Sequence, residues 1–159
     1  MGMTIRRGIH VILVGVDPGK ITGIAVWWSP DKWVSENGKR PLDTAEVEAS
    51  TVPAVLRRML DGERPTLLAV ERYVQTQRKT HQPEAQQVIG AVRSLADEWV
   101  VRCVYQNPAP AKKVGSTAKL KKLGFYVATK DNHANSATSH MLLLMATQYP
   151  TVYANLLGI

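Results

Sequence analysis

The chain has one cysteine among its 159 residues, so it cannot form an internal disulfide. This excludes the disulfide-rich extracellular scaffolds, and we interpret Cys103, which lies in an apolar stretch, as a core thiol in a reducing cytoplasm. No apolar run approaches the roughly 20 residues that a membrane span needs. The apolar run near the N-terminus is interrupted by Asp17, and no small-residue cleavage site follows, which argues against a signal peptide. We therefore expect a cytoplasmic protein with no membrane association.

Acidic residues are scarce relative to basic ones: 13 Asp and Glu stand against 20 Lys and Arg, a net charge of +7. The imbalance is confined to residues 72–130, where 11 basic and 3 acidic residues give +8 while the remainder carries −1. A solubilising surface is the alternative explanation, but it would not be so segregated. A concentrated basic segment is typical of proteins that bind a phosphate backbone, so we favour a nucleic-acid partner.

The length and the hydrophobic fraction of 45% suit one domain with a real core and not two. We therefore predict a single domain over residues 1–159, with residues 1–8 flexible.

The stretch VILVGVDPGKITGIAVWW, residues 11–28, organises the prediction. Residues 11–16 are apolar without polar alternation, which is typical of a strand buried on both faces in the middle of a sheet. Asp17 ends this run, Pro18 and Gly19 force a turn, and residues 21–28 form the second strand of a hairpin. Asp17 either belongs to a functional site or simply starts the turn, and this stretch alone does not decide between the two.

Hydrophobic periodicity predicts the elements that follow. In chain order they are a loop over 29–41, a strand over 42–51, a helix over 52–60, a strand over 66–70, a loop over 72–82, a helix over 83–99, a strand over 100–105, a basic helical stretch over 111–123 interrupted at Gly115, an extended segment over 125–128, a helix from Asn132 to residue 148, and an apolar tail over 151–159. Gly90 inside the helix over 83–99 indicates a close packing contact. The crossover before 66–70 predicts that this strand is parallel to its neighbour.

Glu71, like Asp17, ends a buried strand. If the two strands are neighbours, the carboxylates share one place, and their repulsion requires a positive group such as a divalent cation. His133, Ser136 and His140 share one face of the last helix, and His133 would complete the site if that face packs beside the strand ends. The alternative is that His133 is an ordinary first-turn histidine.

Four segments resemble the RuvC family of Holliday-junction resolvases, especially its phage-like members: VGVDPGKITGIAV, LLAVERY, QQVIGAVRSLA and KDNHANSATSHML. The resemblance covers roughly residues 11–145. It implies an α/β, RNase H-like fold with a five-stranded mixed sheet flanked by α-helices. It also implies a homodimer that nicks branched DNA with divalent metal and no small-molecule cofactor, in a host cytoplasm if the protein is phage-encoded. We expect the helix over 83–99 to form the dimer surface, through Val88 and Trp99.

The resemblance carries over to individual residues. Asp17 matches the family's aspartate on the first strand, Glu71 its glutamate on the fourth, and His133 the first of two ligands on the last helix. These three would hold Mg²⁺ or Mn²⁺, with two ions per site. Ser136 is the fourth catalytic position, but the family has Asp there, and a serine hydroxyl is a weak, uncharged ligand. Asp131 is a displaced substitute for it.

Seven basic side chains would contact DNA phosphates and position the nucleic acid without selecting a base sequence. They are Arg78, Lys79, Lys112, Lys113, Lys119, Lys121 and Lys122. Any one of them could be a solvated surface charge, and the prediction concerns the cluster.

The sequence thus predicts a structure-selective endodeoxyribonuclease that binds and nicks four-way junctions. Its alternative is a junction-binding protein whose metal site is weakened by Ser136. An RNA-processing nuclease of the same fold stays open. A phosphotransferase of the actin-like ATPase superfold is disfavoured because that architecture needs two such domains.

Overall fold

The computed structural model describes residues 11–29, 41–72 and 82–159. The expected flexible end over residues 1–8, most of the loops predicted over 29–41 and 72–82, and the DNA-contact candidates Arg78 and Lys79 lie outside the described residues.

Five strands form one mixed sheet with the order β3-β2-β1-β4-β5. β1 is antiparallel to β2, and β2 is antiparallel to β3. β1 is parallel to β4, and β4 is parallel to β5. The strands are β1 (Ile12–Asp17), β2 (Ile21–Trp28), β3 (Leu42–Glu48), β4 (Leu67–Glu71) and β5 (Cys103–Gln106). The predicted α/β, RNase H-like fold with a five-stranded mixed sheet is confirmed, as is the parallel placement of β4.

Six α-helices and one 3-10 turn, Ala49–Thr51, are present in the described parts of the chain. The helices are α1 (Val52–Leu60), α2 (Pro83–Trp99), α3 (Pro108–Val114), α4 (Thr117–Leu123), α5 (His133–Gln148) and α6 (Pro150–Leu157). The break predicted at Gly115 separates α3 from α4. None of the helices in the described ranges is long and apolar enough to cross a membrane.

The core consists of two apolar layers, one on each face of the sheet. The first lies between the sheet and helices α1 and α2, and the second lies between the sheet and helices α4, α5 and α6. Alternate residues of β1 serve the two layers: Val14 and Val16 face the first, whereas Leu13 faces the second. Both faces of β1 are therefore covered, which is why its sequence is continuously apolar.

Helix α5 is buried along most of its length, including four polar side chains, Asn135, Thr138, Ser139 and His140. A buried polar group needs a hydrogen-bond partner, and each of these has one. Thr138 bonds to the carbonyl of Ala134 within the helix, and Ser139 bonds to the carbonyl of Gly115 at 2.7 Å. A burial pattern of this kind places α5 as the central helix of the second layer.

Several element boundaries differ from the sequence prediction. The basic helical stretch begins at Pro108 and not at residue 111. The third strand ends at Glu48, and the 3-10 turn takes the rest of the predicted span. The fifth strand begins at Cys103 because Val100, with φ of 55°, is the left-handed cap that ends α2. Residues 151–159 were predicted as a tail, but most of them form α6, in which Pro150 occupies the first turn that proline tolerates.

Residues 125–128 do not form a strand. The side-chain amide of Asn135 takes the place of a strand partner for Val127. It accepts from the Val127 N–H at 3.0 Å and donates to the Val127 carbonyl at 2.7 Å. The N–H groups of Phe125 and Tyr126 donate to the carbonyl of Leu120 in α4. The described hydrogen bonds of this apolar segment therefore go to α4 and α5 and not to the sheet.

Two expectations for α2 are wrong. Gly90 was predicted to mark a close packing contact, but it is exposed and a Cβ placed there would meet nothing within 4 Å. Val88 was predicted to offer apolar area to a partner, but it is fully buried in the first core layer. Trp99 is partly buried against the same layer.

Candidate active site at the carboxyl ends of the central strands

At the carboxyl ends of β1 and β4, one line of paired residues runs across all five strands of the sheet. Asp17 pairs with Gly23 of β2, and Gly23 pairs with Glu46 of β3. On the other side, the pairing of Val16 with Val70 sets Asp17 beside Glu71, which in turn pairs with Gln106 of β5. We call Glu46, Gly23, Asp17, Glu71 and Gln106 the polar row.

Helix α5 lies directly on this row. A Cβ added at Gly23 would collide with the carbonyl of His133, and one added at Gly15 would collide with the carbonyl of Ala137. Only glycine lets the helix backbone come so close to the strand backbone. The two glycines therefore set the distance between α5 and the strands β1 and β2. This distance decides which groups of the sheet the side chains of α5 can contact.

Two histidines of α5 each bond to one carboxylate of the row. His133 Nδ1 lies 2.9 Å from Asp17 Oδ2, and His140 Nε2 lies 2.9 Å from Glu71 Oε2. The second ring nitrogen of His140 lies 2.9 Å from Gln106 Oε1. His140 is buried, whereas the His133 side chain is 32% exposed. His133 is thus the more accessible of the two histidines, and His140 is held by hydrogen bonds to residues of β4 and β5.

The two carboxyl groups interact, and their pKa values move in opposite directions. Burial is the largest cause for Asp17, and together with the charge of Glu71 it raises the pKa of Asp17 to about 6, against the opposing effect of His133. Burial also raises the pKa of Glu71, but the hydrogen bond and charge of His140, the hydrogen bond with Asp17 and the charge of Lys112 outweigh it. Glu71 therefore loses its proton more readily than Asp17, which holds its proton below about pH 6.

The donors of this site fit a divalent cation in their chemistry. Two partly buried carboxylates at one place repel each other, and a cation between them would relieve that repulsion. In the present arrangement each imidazole bonds to a carboxylate, and no three His, Cys, Asp or Glu side chains of the described residues surround one point in the manner of a metal cage. Metal binding would therefore require His133, the exposed imidazole, to turn from Asp17.

Glu46 is a third carboxylate close to His133. Its Oε1 accepts from the backbone N–H of Ala134 at 3.0 Å, so it satisfies a free donor in the first turn of α5. Burial raises the pKa of Glu46, but hydrogen bonds from Thr129 and the α5 backbone and the charge of His133 lower it below its usual range. Glu46 fixes the start of the helix that carries the histidines.

The structure brings together three of the four predicted catalytic residues, namely Asp17, Glu71 and His133. Ser136 lies in the first turn of α5, half-buried, with its backbone N–H bonded to the carbonyl of Asn132 at 3.1 Å. Asp131, the displaced substitute, is exposed.

Sequence reasoning missed the roles of His140, Gln106 and Glu46. The helical spacing between His133 and His140 was visible and could have indicated a second histidine of the site. The other two depend on the register of β3 and β5, which no local pattern reveals.

The predicted phosphate-contact lysines occupy α3 and α4 but differ in their surroundings. Lys112 and Lys113 are exposed on α3, and the charge of Lys112 is felt at Glu71. Lys119 is half-buried and donates to the Tyr153 hydroxyl at 3.2 Å. Lys121 stands 4.9 Å from the centre of the Tyr126 ring, and Lys122 is exposed.

No protein-family model matches the sequence, and no curated protein matches it. Among solved structures, the chain is similar to T. thermophilus RuvC in complex with a Holliday junction substrate, with a TM-score of 0.67 and 20% identity over 90% of this chain and 98% of that one. It is also similar to a second Thermus thermophilus RuvC structure, with a TM-score of 0.58 and 18% identity over 93% of this chain and 97% of that one. The fold of the chain is therefore RuvC-like.

Proposed function

We propose that this protein is a metal-dependent, structure-selective endodeoxyribonuclease that binds and nicks branched DNA such as four-way junctions. One observation carries the proposal: Asp17 and Glu71 meet at the ends of neighbouring parallel strands, under the helix that bears His133. Ligand sites of open sheets lie beyond such strand ends. The likeness in fold to a protein solved with a Holliday junction supports the choice of substrate class.

Asp17, Glu71 and His133 would hold the divalent ions, of which we propose two per site, Mg²⁺ or Mn²⁺. Such ions supply an activated water and stabilise the leaving oxygen of a phosphodiester. Asp17 must release its proton for the site to carry both negative charges, and its raised pKa disfavours this below about pH 6. Glu71 is kept charged by His140 and Lys112.

The basic side chains of α3 and α4 would contact the DNA backbone. Lys112 is the one nearest the carboxylates, since its charge acts on Glu71. A phosphate drawn to Lys112 would therefore lie beside the acidic pair. Such contacts orient the substrate and do not depend on base sequence. Arg78 and Lys79, which lie outside the described residues, are proposed to add to this surface.

A second function is a junction-binding protein with a weakened metal site. Two observations favour it: Ser136 offers no charge in the first turn of α5, and both imidazoles already bond to the carboxylates. The two functions share the DNA surface and differ only in cleavage.

A cleavage panel tests the proposal. The full chain is incubated with a four-way junction, a linear duplex, a flap and an RNA–DNA hybrid, with Mg²⁺ or Mn²⁺ and with EDTA. We expect metal-dependent nicking of the junction in preference to the duplex. Asp17→Asn and Glu71→Gln should remove nicking and keep junction binding, because neither carboxylate is part of the basic surface.

Tight junction binding without nicking in either metal would favour the second function. Cleavage restricted to the RNA–DNA hybrid would favour an RNA-processing nuclease of this fold. Equal cleavage in EDTA would overturn the metal dependence.

A further inference from the structure

His140 is a fully buried polar side chain beside the acidic pair. It is 1% exposed, and both of its ring nitrogens lie within hydrogen-bond distance of a partner, Glu71 on one side and Gln106 on the other. An imidazole bonded at both nitrogens and packed in the core cannot rotate without breaking a buried hydrogen bond. A buried donor or acceptor left without a partner is unfavourable, so the ring is held in place.

The strand register explains why one ring can reach both partners. Glu71 and Gln106 are directly paired on the parallel strands β4 and β5, so their side chains leave the same face of the sheet. Gly15 lets α5 approach that face closely at Ala137 and Met141, next to His140. The His140 ring therefore lies above Glu71 and Gln106. Gln106, which is 7% exposed, contacts the ring nitrogen that does not face Glu71.

We propose that His140, supported by Gln106, is a positioning residue that fixes the orientation of the Glu71 carboxylate for metal binding. The inference rests on the proposed function, since it concerns the same site. His140 differs in this from His133, whose exposed ring can turn toward a cation. In a site with only two carboxylates in contact, a Glu71 that could swing freely would leave the ion poorly held. Groups that orient a ligand from behind typically contribute 10–100-fold to metal affinity.

The test is direct binding of Mn²⁺ to the full chain, measured by titration calorimetry without DNA. His140→Leu keeps the bulk and removes the N–H donor, and His140→Gln keeps a donor that can reach Glu71. We expect His140→Leu to weaken Mn²⁺ binding by 10–100-fold. His140→Gln should recover most of the loss. Gln106→Leu should weaken binding in the same direction, and it carries the test if His140→Leu does not fold.

Ser139→Ala is the matched control. Ser139 is the neighbour of His140 on α5, is buried, and bonds to the carbonyls of Gly115 and Asn135, away from the carboxylates. Its loss should lower thermal stability and leave Mn²⁺ affinity unchanged. An effect of Ser139→Ala equal to that of His140→Leu would reduce His140 to a structural role and overturn the proposal.

Glu71→Gln separates the two levels of inference. If it abolishes Mn²⁺ binding while both His140→Leu and Gln106→Leu bind as tightly as the unmodified chain, the positioning role is wrong and the metal site stands. If the unmodified chain binds no Mn²⁺, the metal-dependent function and the positioning role are both overturned.

Discussion

Asp17 and Glu71 share one place, yet their pKa values shift in opposite directions. Burial is the largest cause of the rise at Asp17, whereas at Glu71 the effect of burial is outweighed by His140, Asp17 and Lys112. His140 is buried and serves Glu71, while the half-exposed His133 serves Asp17. The pKa of Asp17 is raised to about 6, whereas that of Glu71 is lowered. The unfavourable effects of burial and of the charge of Glu71 therefore appear at Asp17, as a raised pKa.

This asymmetry predicts opposite effects of two neutralising substitutions on the metal-free protein at pH 8. A carboxyl with a raised pKa in the folded state stabilises the fold below about pH 4, and this contribution is lost as the pH rises through about 6. Asp17→Asn should therefore raise the melting temperature at pH 8 and change it little at pH 4. One pKa unit corresponds to about 1.4 kcal/mol, so the gain is about 2–3 kcal/mol.

Glu71→Gln should lower the melting temperature at pH 8. The lowered pKa of Glu71 gives stability that is present above its ordinary pKa and is lost as the pH falls through the folded value. Thermal unfolding in EDTA at several pH values measures both variants. Shifts of the same sign at pH 8 would contradict the assignment of charge to Glu71.

Ser136 gives the third prediction at this scale. Two carboxylates and one imidazole suit Mg²⁺ poorly, because Mg²⁺ prefers charged oxygen ligands, while Mn²⁺ accepts imidazole more readily. We expect slow nicking in Mg²⁺, faster nicking in Mn²⁺, and a gain in Mg²⁺-dependent nicking from Ser136→Asp. Junction affinity in EDTA should stay nearly unchanged. Rapid nicking in Mg²⁺ by the unmodified chain, with no gain from Ser136→Asp, would be the contrary result.

Among the elements, those with strong local patterns were predictable and those defined by partners were not. The apolar runs of β1, β2 and β4 and the helical period of α2 match the structure closely. Residues 125–128 were predicted as an extended segment, but the sequence does not show that Val127 bonds to Asn135, a partner that it meets only when α5 docks. Proline at position 150 both ends α5 and begins α6, and the sequence shows only the first effect.

The residues of the candidate site also fall into those that the sequence predicts and those that depend on tertiary contacts. Its two acids were predictable, because a carboxylate after a buried apolar strand is conspicuous and the parallel crossover brings the strand ends together. The partners of those acids were not, because they depend on strand register and on the height of α5 above the sheet. That height is set by two glycines whose role becomes visible only in the packed structure.

We predict that the exposed lysines of α3 and α4 contribute to DNA affinity. Each phosphate contact on duplex DNA contributes about −0.9 to the slope of log affinity against log salt. Replacing the exposed Lys112, Lys113 and Lys122 together by Ala should weaken junction binding and flatten this slope by up to about 2.7. Fluorescence anisotropy across a salt series measures it.

Lys119→Ala is the comparison for that variant. Lys119 bonds to Tyr153 of α6, so its loss should affect stability more than the slope. An unchanged slope in the triple variant would mean that these lysines are only solvated surface charges.

The end of α2 offers a stability prediction. Val100 adopts φ of 55° and is 84% exposed, and a β-branched residue is strained in this left-handed conformation. Val100→Gly should stabilise the protein by about 1 kcal/mol, which is about 2–4 °C in melting temperature at this chain length. Gly124 ends α4 with φ of 74°, and Gly124→Val should show the opposite sign. A loss of stability in Val100→Gly would contradict this account.

On the scale of the whole molecule, the prediction is a homodimer. The apolar argument for α2 as its surface is weakened, because Val88 is buried in the core. What α2 does present is Gly90, exposed with empty space above it. The backbone at Gly90 is uncovered, so a second chain could approach it closely. This gives another reason to expect the dimer surface on α2.

Sedimentation velocity at micromolar concentration tests this surface. We expect the unmodified chain to sediment as a dimer and Gly90→Arg to shift it toward the monomer, because a long charged side chain prevents close approach. Ala54→Arg, at an exposed position of α1, should leave the dimer intact. A monomer in the unmodified chain, with and without junction DNA, would contradict the predicted homodimer.

The contact between His133 and Asp17 joins residues 116 positions apart, and that between His140 and Glu71 joins residues 69 apart. Both depend on α5, which comes late in the chain. During synthesis the strands that bear the acids emerge well before the histidines that pair with them. A nascent chain therefore holds two like charges at adjacent strand ends until α5 is made and docks onto the glycines of β1 and β2. Docking of α5 should be a late step in folding, and until it occurs the candidate site lacks both of its histidines.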